Sequence, residues 1–491
     1  MMAAALTLAA MTLGELLGPA AAQHADLRIT DLVMNSRQAT PGAAFVAVRG
    51  HRTHGLEFAA EARAGGAVMV LYEPDPAYPE VPAPSLAVPG LRSELGTLAA
   101  KFFGRAAPPA ELAAVTGTNG KTTIAHLIAQ GMTLSGMPCS YIGTLGFGAI
   151  GALETHELTT PDCLTLHREL ALMGTPLAAL EASSHALEQD RIAGLDIRVG
   201  LFSNLTRDHL DHHGDLTRYA AAKARLFSLP CLQTAVINVD DAFGGELAAR
   251  LAPSLERIRV SLRASSDAEL GGALTSHGLD GIELALSGRY GSASLRSKLV
   301  GGFNAENLLL ALGGLLAFDL PFAESVARLG ECTPPPGRME VLGGGASPWV
   351  VVDYAHTPAA LERVLLTLQA MAHGSVWCVF GCGGERDRGK RPIMGATAAR
   401  LADHVVLTDD NPRHEDPAAI VADIRAGIDA GARIEIEHSR RNAITRSVQR
   451  AAPGDVVLIA GKGHEAFQIM ADQRRPLADR LVANEALRGR A

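Results

Sequence analysis

Residues 113–130 read AAVTGTNGKTTIAHLIAQ: an apolar run, a glycine-rich turn, then Lys-Thr-Thr opening a helical pattern. That order suits phosphate. Backbone N–H groups at Gly117, Thr118, Asn119 and Gly120, with the helix N-terminus behind them, can bind phosphate oxygens. Lys121 can neutralise them and Thr122, followed by Thr123, can ligate Mg²⁺. The loop is shorter than G-x-x-x-x-G-K-[ST], because Val115 stands where the first glycine belongs. It can still work if Gly117 and Gly120 let the backbone approach the phosphates closely. The competing reading is a strand–turn–helix corner whose glycines serve only the turn.

Other chemistry-bearing residues follow apolar runs. Glu181 comes after LAAL, and Asp208, His209, Asp211, His212 and His213 crowd into RDHLDHHG. Such a cluster could suggest zinc, with His212 and His213 equally readable as loop histidines. Lys223 in RYAAAKARLF reads as a solvated helix lysine, and DNPR (410–413) as a turn that Asn-Pro initiates.

The elements that must position these residues are legible from pattern. AAFVAVRG (43–50) and AVMVLYE (67–73) read as strands around a helical 55–66, and 104–112 is a Pro-rich linker. From LAAV (112–115) onward, apolar strands alternate with helical patterns, each strand ending in a polar stretch. TGTNGKTT, EASSH, NLTRDHLDHHG and NVDD form the first such series, and short alternating segments at 256–300 read as an antiparallel appendage. After ECTPPPGR the theme returns, with DYAHTP, GCGGERDRGK, TDDNPR and AGKGHE. Buried strands alternating with helices mean parallel, doubly wound sheets, whose ligands bind outside the carboxyl ends of the strands.

A chain of 491 residues is too long for one core, and about three domains are expected. A net charge of −8 argues against general nucleic-acid binding. The six cysteines show no metal spacing and read as reduced thiols of a cytoplasmic protein. The apolar start resembles a secretory signal, but no Lys or Arg precedes Arg28 and Glu15 interrupts it. Leu6, Leu8, Leu13, Leu16 and Leu17 could instead face a core from a short helix. No later run offers the ~20 apolar residues of a membrane span.

The motifs TGTNGKTT, EASSH, NLTRDHLDHHG, DYAHTP, GCGGERDRGKRP, DNPR and GKGHE, in that order, resemble the Mur ligase family over about residues 30–480. The resemblance implies an α/β fold of three domains. These are a small mixed α/β uridine-binding domain (1–107), a central P-loop doubly wound sheet (108–332) and a C-terminal Rossmann-like domain (333–491). It also implies an ATP-dependent ligase of peptidoglycan precursor synthesis, similar to the members that add meso-2,6-diaminopimelate to UDP-N-acetylmuramoyl-L-alanyl-D-glutamate through an acyl phosphate. ATP and Mg²⁺ are the implied cofactors. A cytoplasmic monomer without nucleic-acid or membrane partners is expected. Addition of L-lysine, folate polyglutamylation, and a nucleotide-dependent switch without ligase chemistry are the alternatives.

By the same resemblance Lys121, Glu181, His209 and Lys223 are catalytic. Thr122, Glu181 and His209 hold Mg²⁺, which hard surroundings favour over zinc, and Lys223 is carbamylated. Asn304, Arg338 and Asp353 reach the rest of the nucleotide. Ser36, His51, Arg52, Thr53, Thr159, Thr160, Ser183, Gln189 and Arg191 contact the UDP-sugar peptide, with Asn35 where an Asp is common and Leu158 replacing a polar residue. Arg386, Asp410, Asn411, Pro412, Arg413, Gly461 and Glu465 form the amino-acid pocket. A guanidinium there matches the extra carboxylate that distinguishes diaminopimelate from lysine.

Overall fold

The computed structural model describes residues 10–50, 53–106, 110–156, 158–263, 267–429, 431–432 and 434–490, apart from the Asp211 side chain. The chain divides into two compact units, with Leu310–Arg328 joining the residues up to Ser261 and Gly271–Leu309 joining those from Leu329.

The first unit holds two parallel sheets. In the smaller, Asp31–Val33, Ala43–Ala47, Met69–Tyr72 and Ser85–Ala87 pair in that order. The sequence expectation for both strands and for the helix between them (Ala59–Ala64) holds. Leu13 and Leu16, from the short helix Leu13–Leu17, are buried in the core beneath this sheet with Met11 and Ala21. Leu6 and Leu8 lie outside the described residues.

In the larger sheet the spatial order runs Glu256–Ser261, Thr234–Asn238, Ile197–Phe202, Glu111–Thr116, Leu177–Glu181, Cys139–Gly143. All of these pairings are parallel, and Gly146–Gly148 adds a short antiparallel partner at the end. Leu177–Glu181 and Thr234–Asn238 are buried at every position, as strands covered by helices on both faces must be. The chain starts at Glu111–Thr116, in the middle, and later returns to its other side, so the order reverses beside that strand. This is where an open α/β sheet leaves a crevice. The expected antiparallel appendage is corrected in part. Glu256–Ser261 pairs parallel with Thr234–Asn238, whereas Gly281–Gly288 and Ala293–Ser297, which belong to the second unit, do form an antiparallel hairpin. The alternating burial of ERIRVS produced the misreading.

The second unit carries a six-stranded sheet in the order Glu340–Gly343, Trp349–Asp353, Val456–Ala460, Val376–Phe380, His404–Leu407, Ile434–Ile436. Only the first pairing is antiparallel. Apolar side chains fill both faces of this sheet. One ionic contact also lies inside. Arg440, at the start of the helix Arg440–Arg450, donates to both carboxylate oxygens of Asp479 (2.8 and 2.7 Å) and to the Ala460 carbonyl (2.9 Å). Both side chains are fully buried, so this fork ties two helices to the end of a central strand.

Removing one partner strands a buried charge, a loss of about 3–5 kcal/mol. Asp479→Ala should therefore lower the urea midpoint of unfolding sharply, while Arg441→Ala, at an exposed pair with Glu485, should shift it little.

Candidate active site

The glycine-rich turn does join the strand Glu111–Thr116 to the helix Lys121–Leu134, and both glycines take positive φ, 143° at Gly117 and 88° at Gly120. A Cβ on Gly117 would lie 1.9 Å from Ser203 Oγ, so only glycine fits against the neighbouring strand end. That neighbour holds the turn. Thr118 N–H donates to the Asn204 carbonyl (2.8 Å), Asn119 N–H to Asn204 Oδ1 (3.0 Å), and Ser203 Oγ to the Asn119 carbonyl (2.6 Å). Lys121 Nζ folds back onto the carbonyls of Gly117 (3.0 Å) and Thr118 (2.9 Å).

Lys223 overturns the reading of a solvated helix lysine. It is 1% exposed, and its Nζ donates to the same Gly117 carbonyl at 2.7 Å while lying over the Tyr219 ring. Burial first, and the Lys121 charge second, push this amine well below its ordinary range, against the opposing pull of Asp208.

Glu181 is the last residue of its strand rather than just beyond it. Its carboxylate accepts from Thr122 Oγ1 (3.0 Å), Thr144 N–H (2.9 Å), Thr144 Oγ1 (3.2 Å) and the Tyr141 hydroxyl. Thr122 and Glu181 thus present converging hard oxygen donors of the kind Mg²⁺ takes. Tyr141 and Thr144 were not singled out from sequence. The signal was available, since both flank the end of an apolar run, YIGT.

Most of the residues expected at the sugar-peptide contact link to the Glu181 strand end, through Thr144 or through Thr160. Thr144 and Thr159 hydroxyls lie 3.2 Å apart, Thr160 Oγ1 donates to the Glu181 carbonyl (2.6 Å), and Ser183 N–H donates to Thr160 Oγ1 (3.2 Å). Arg191 donates to the Thr160 carbonyl (2.8 Å) and to Gln189 Oε1 (2.7 Å). Ser36 sits in the smaller sheet's region, bonding Glu61 at 2.6 Å, and Asn35 caps the turn that carries it. Thr53 is exposed, and His51 and Arg52 lie outside the described residues.

His209 stands at a left-handed corner (φ 52°) and is half-exposed, 3.5 Å from Asp208. His212 and His213 are more enclosed and meet His185, a residue the sequence reading passed over. Burial, then the neighbouring histidines, lower the His185 imidazole to about 4.

In the second unit Asn304, near the start of the helix Phe303–Ala317, donates to the Val300 carbonyl (2.7 Å) and accepts from Asn307. Asp353 accepts backbone N–H bonds from Met339 and Ala355, both 2.8 Å, and Arg338 stacks 4.8 Å over Tyr354. Beyond the strand ends, Asp410 and Asn411 are buried and Arg413 takes φ 53°. Arg413 donates from its side chain to the Gly384 carbonyl (2.7 Å). Its backbone N–H donates to the Ile469 carbonyl (3.1 Å), and its carbonyl accepts from Ala471 N–H (2.7 Å). A Cβ on Gly383 would meet Arg413 Nη1 at 3.2 Å and Arg386 Cγ at 3.7 Å, so both guanidinium-bearing chains border that turn. Pro412 is buried beside them. A Cβ on Gly461 would lie 2.7 Å from Asp410 Oδ2.

Lys462 is the residue missed here. Fully buried, it donates to Asn411 Oδ1 (2.9 Å), Glu465 Oε2 (2.8 Å) and the Phe467 carbonyl (2.7 Å), and Asn411 Nδ2 donates to Glu465 Oε2 (2.7 Å). Burial alone would raise the Glu465 carboxyl, but the Lys462 charge and these hydrogen bonds hold it below its ordinary value.

Family models for the Mur ligase middle domain, the Mur ligase glutamate ligase domain and the Mur ligase family catalytic domain match residues 115–315, 337–463 and 28–103. This chain belongs to the Mur ligase family. Among its relatives, the UDP-N-acetylmuramoyl-L-alanyl-D-glutamate--2,6-diaminopimelate ligase of Xanthomonas oryzae pv. oryzae is 46% identical, with 97% of each chain covered. The Pseudomonas aeruginosa protein of the same name is 47% identical over 94% of this chain and 96% of its own. A solved structure of a ligase of that name matches with TM-score 0.71 at 38% identity, covering 98% of this chain and 99% of that one. The Thermotoga maritima MurF ligase, solved in complex with ADP, shares the fold at 18% identity and TM-score 0.61, with coverage of 94% and 98%.

Alanine at position 117 would combine a backbone φ that disfavours side chains with a clash against Ser203. Gly117→Ala should weaken ATP binding by at least about tenfold, the equivalent of ~1.4 kcal/mol, in titration calorimetry.

Proposed function

We propose that the chain joins meso-2,6-diaminopimelate to UDP-N-acetylmuramoyl-L-alanyl-D-glutamate at the expense of ATP; its relatives' names give the acceptor and 2,6-diaminopimelate. The observation that carries the reading is the convergence of Lys121, Thr122, Glu181 and Lys223 around one glycine-rich turn, in a chain nearly half identical to ligases of that name.

A carboxylate and an amine at neutral pH form a salt, so the acceptor carboxyl must first become an electrophile. Transfer of the ATP γ-phosphoryl group makes it an acyl phosphate. The amine then attacks the acyl carbon and phosphate leaves. Several anionic groups meet in such a site, and catalysis rests on cations and positioning. Lys121, now folded onto its own turn, swings out to the phosphates. Thr122 and Glu181 are the oxygen donors suited to Mg²⁺, with His209 on the neighbouring corner, and Mg²⁺ bound there neutralises phosphate charge. Thr159, Thr160, Ser183, Gln189 and Arg191, linked to the Glu181 strand end, orient the acceptor peptide, while Ser36 with His51, Arg52 and Thr53 serves its uridine end. Asn304, Arg338 and Asp353 serve the far end of the nucleotide. The domain bounds 1–107, 108–332 and 333–491 apportion these tasks.

Lys223 fits a carbamate. Only a neutral amine attacks CO₂, and burial keeps this one from protonating readily. The product is an anion, which reverses the sign of the group beside Lys121. Lys223→Ala should lose ligation and recover part of it with added short carboxylates, whereas Lys223→Arg should recover nothing. Full activity in the arginine variant would remove the carbamate from the account.

Arg413 and Arg386 border the turn where the substrate's second carboxylate fits, with Asn411, Glu465 and Gly461 beside them. Losing a charged, hydrogen-bonded partner costs about 2–5 kcal/mol, so Arg413→Ala should cut kcat/KM for diaminopimelate at least tenfold, mainly through KM. Arg413→Lys keeps the charge and the same backbone demand but loses the fork, and should recover only part. Phosphate release with the UDP-muramoyl dipeptide and a panel of amino acids is the decisive assay. Equal or better use of L-lysine by the unaltered protein would favour the lysine-adding alternative.

A further inference from the structure

Four potential metal-binding side chains meet between the short helices Ser184–Glu188 and Leu210–His213. The donor atoms of His185, His212 and His213 all lie within 4.8 Å of one another. Glu188 Oε2 is 2.7 Å from His212 Nε2 and 3.6 Å from His213 Nδ1. His213 is the most telling member. Its side chain is 1% exposed, its Nε2 lies 2.9 Å from Ser184 Oγ, and its buried Nδ1 makes no hydrogen bond. In the tautomer that donates from Nε2 to Ser184 Oγ, Nδ1 keeps a bare lone pair facing Glu188 and the other imidazoles. Metal-binding histidines are oriented in this way, one nitrogen bonded to a neighbouring oxygen and the other left for the ion.

We propose that His185, His212 and His213, with Glu188 as fourth ligand, form a site for a divalent transition metal of the zinc type. Three imidazoles and one carboxylate suit a tetrahedral, borderline-soft ion, whereas Mg²⁺ prefers an all-oxygen octahedron. The site is separate from the oxygen donors Thr122 and Glu181. Its three close-set donors are imidazoles, and Glu188 adjoins two of them, His212 and His213. His209 meets the His185 ring edge to face at 5.0 Å and stands outside the close-set group. Half the ligands sit on the segment that leads from Asn204, which bonds the glycine-rich turn, and half on the helix after Glu181. An ion there fastens that segment to the helix. The inference does not depend on the amino acid the enzyme adds.

The test is zinc binding by the whole, chelator-stripped protein, measured by competition with a chromogenic zinc indicator. One ion per chain is expected, with excess Mg²⁺ unable to displace it and with the strong visible absorption of tetrahedral Co²⁺ on cobalt loading. His185→Asn and His212→Asn, at partly exposed positions, should each weaken zinc binding by at least about tenfold. His209→Asn should leave it within about twofold. Zinc should also raise the Tm of the unaltered protein and not that of the double variant His185→Asn/His212→Asn. Absence of stoichiometric zinc, binding unchanged in the double variant, or binding lost in His209→Asn would each overturn the assignment.

Discussion

Two lysine amino groups converge on a single carbonyl oxygen, that of Gly117, with Lys121 at 3.0 Å and Lys223 at 2.7 Å. Like charges do not share a buried acceptor without consequence. One of them must give way, and the more buried, Lys223, is the one whose amine is pushed down. The glycine conformation at 117, the close approach of Ser203 and the packing of Tyr219 beneath Lys223 all serve this meeting. The geometry is poised for anions. Phosphate drawing Lys121 away, or conversion of Lys223 to an anion, relieves the crowding.

Glu181 is the second centre of organisation. Its carboxylate and backbone carbonyl gather Thr122, Tyr141 with Thr144, and Thr160 from three separate segments. Each segment follows or ends a strand of one sheet, so the parallel order of those strands is what brings the groups together. The family resemblance drawn from ordered motifs therefore has a physical counterpart, because the motifs are the carboxyl-end loops of neighbouring strands.

Strands covered on both faces were legible because they leave unbroken apolar runs such as LAAL and WVVV. ERIRVS was not, since its partial exposure mimics the alternation of an antiparallel strand. The buried state of Lys223 could not be read locally. Its helix carries a lysine on what looks like a polar stretch, and the partner that buries it is 106 residues away. Lys462 and His185 were within reach. Both stand in polar stretches immediately after apolar strands, the rule that picked out Glu181 and the AGKGHE stretch, yet lysine between two glycines and histidine after two serines read as loop residues. What sequence lacked was the knowledge that a buried lysine would find Asn411 and Glu465 together.

The support of Arg413 has a consequence for how such a pocket can change over evolutionary time. Its backbone is stitched on both sides to the hairpin of Phe467–Met470 and Gln473–Pro476 through main-chain groups alone. Main-chain stitching is indifferent to the side chain it carries. The left-handed conformation at 413 is therefore sustained by the hairpin's main chain rather than by the arginine side chain, for any unbranched residue that keeps its N–H, and the outer strand, exposed throughout, can drift without loosening it. A lineage confronted with a different amino acid would not have to rebuild the scaffold. It inherits a socket whose occupant can be exchanged by a single codon.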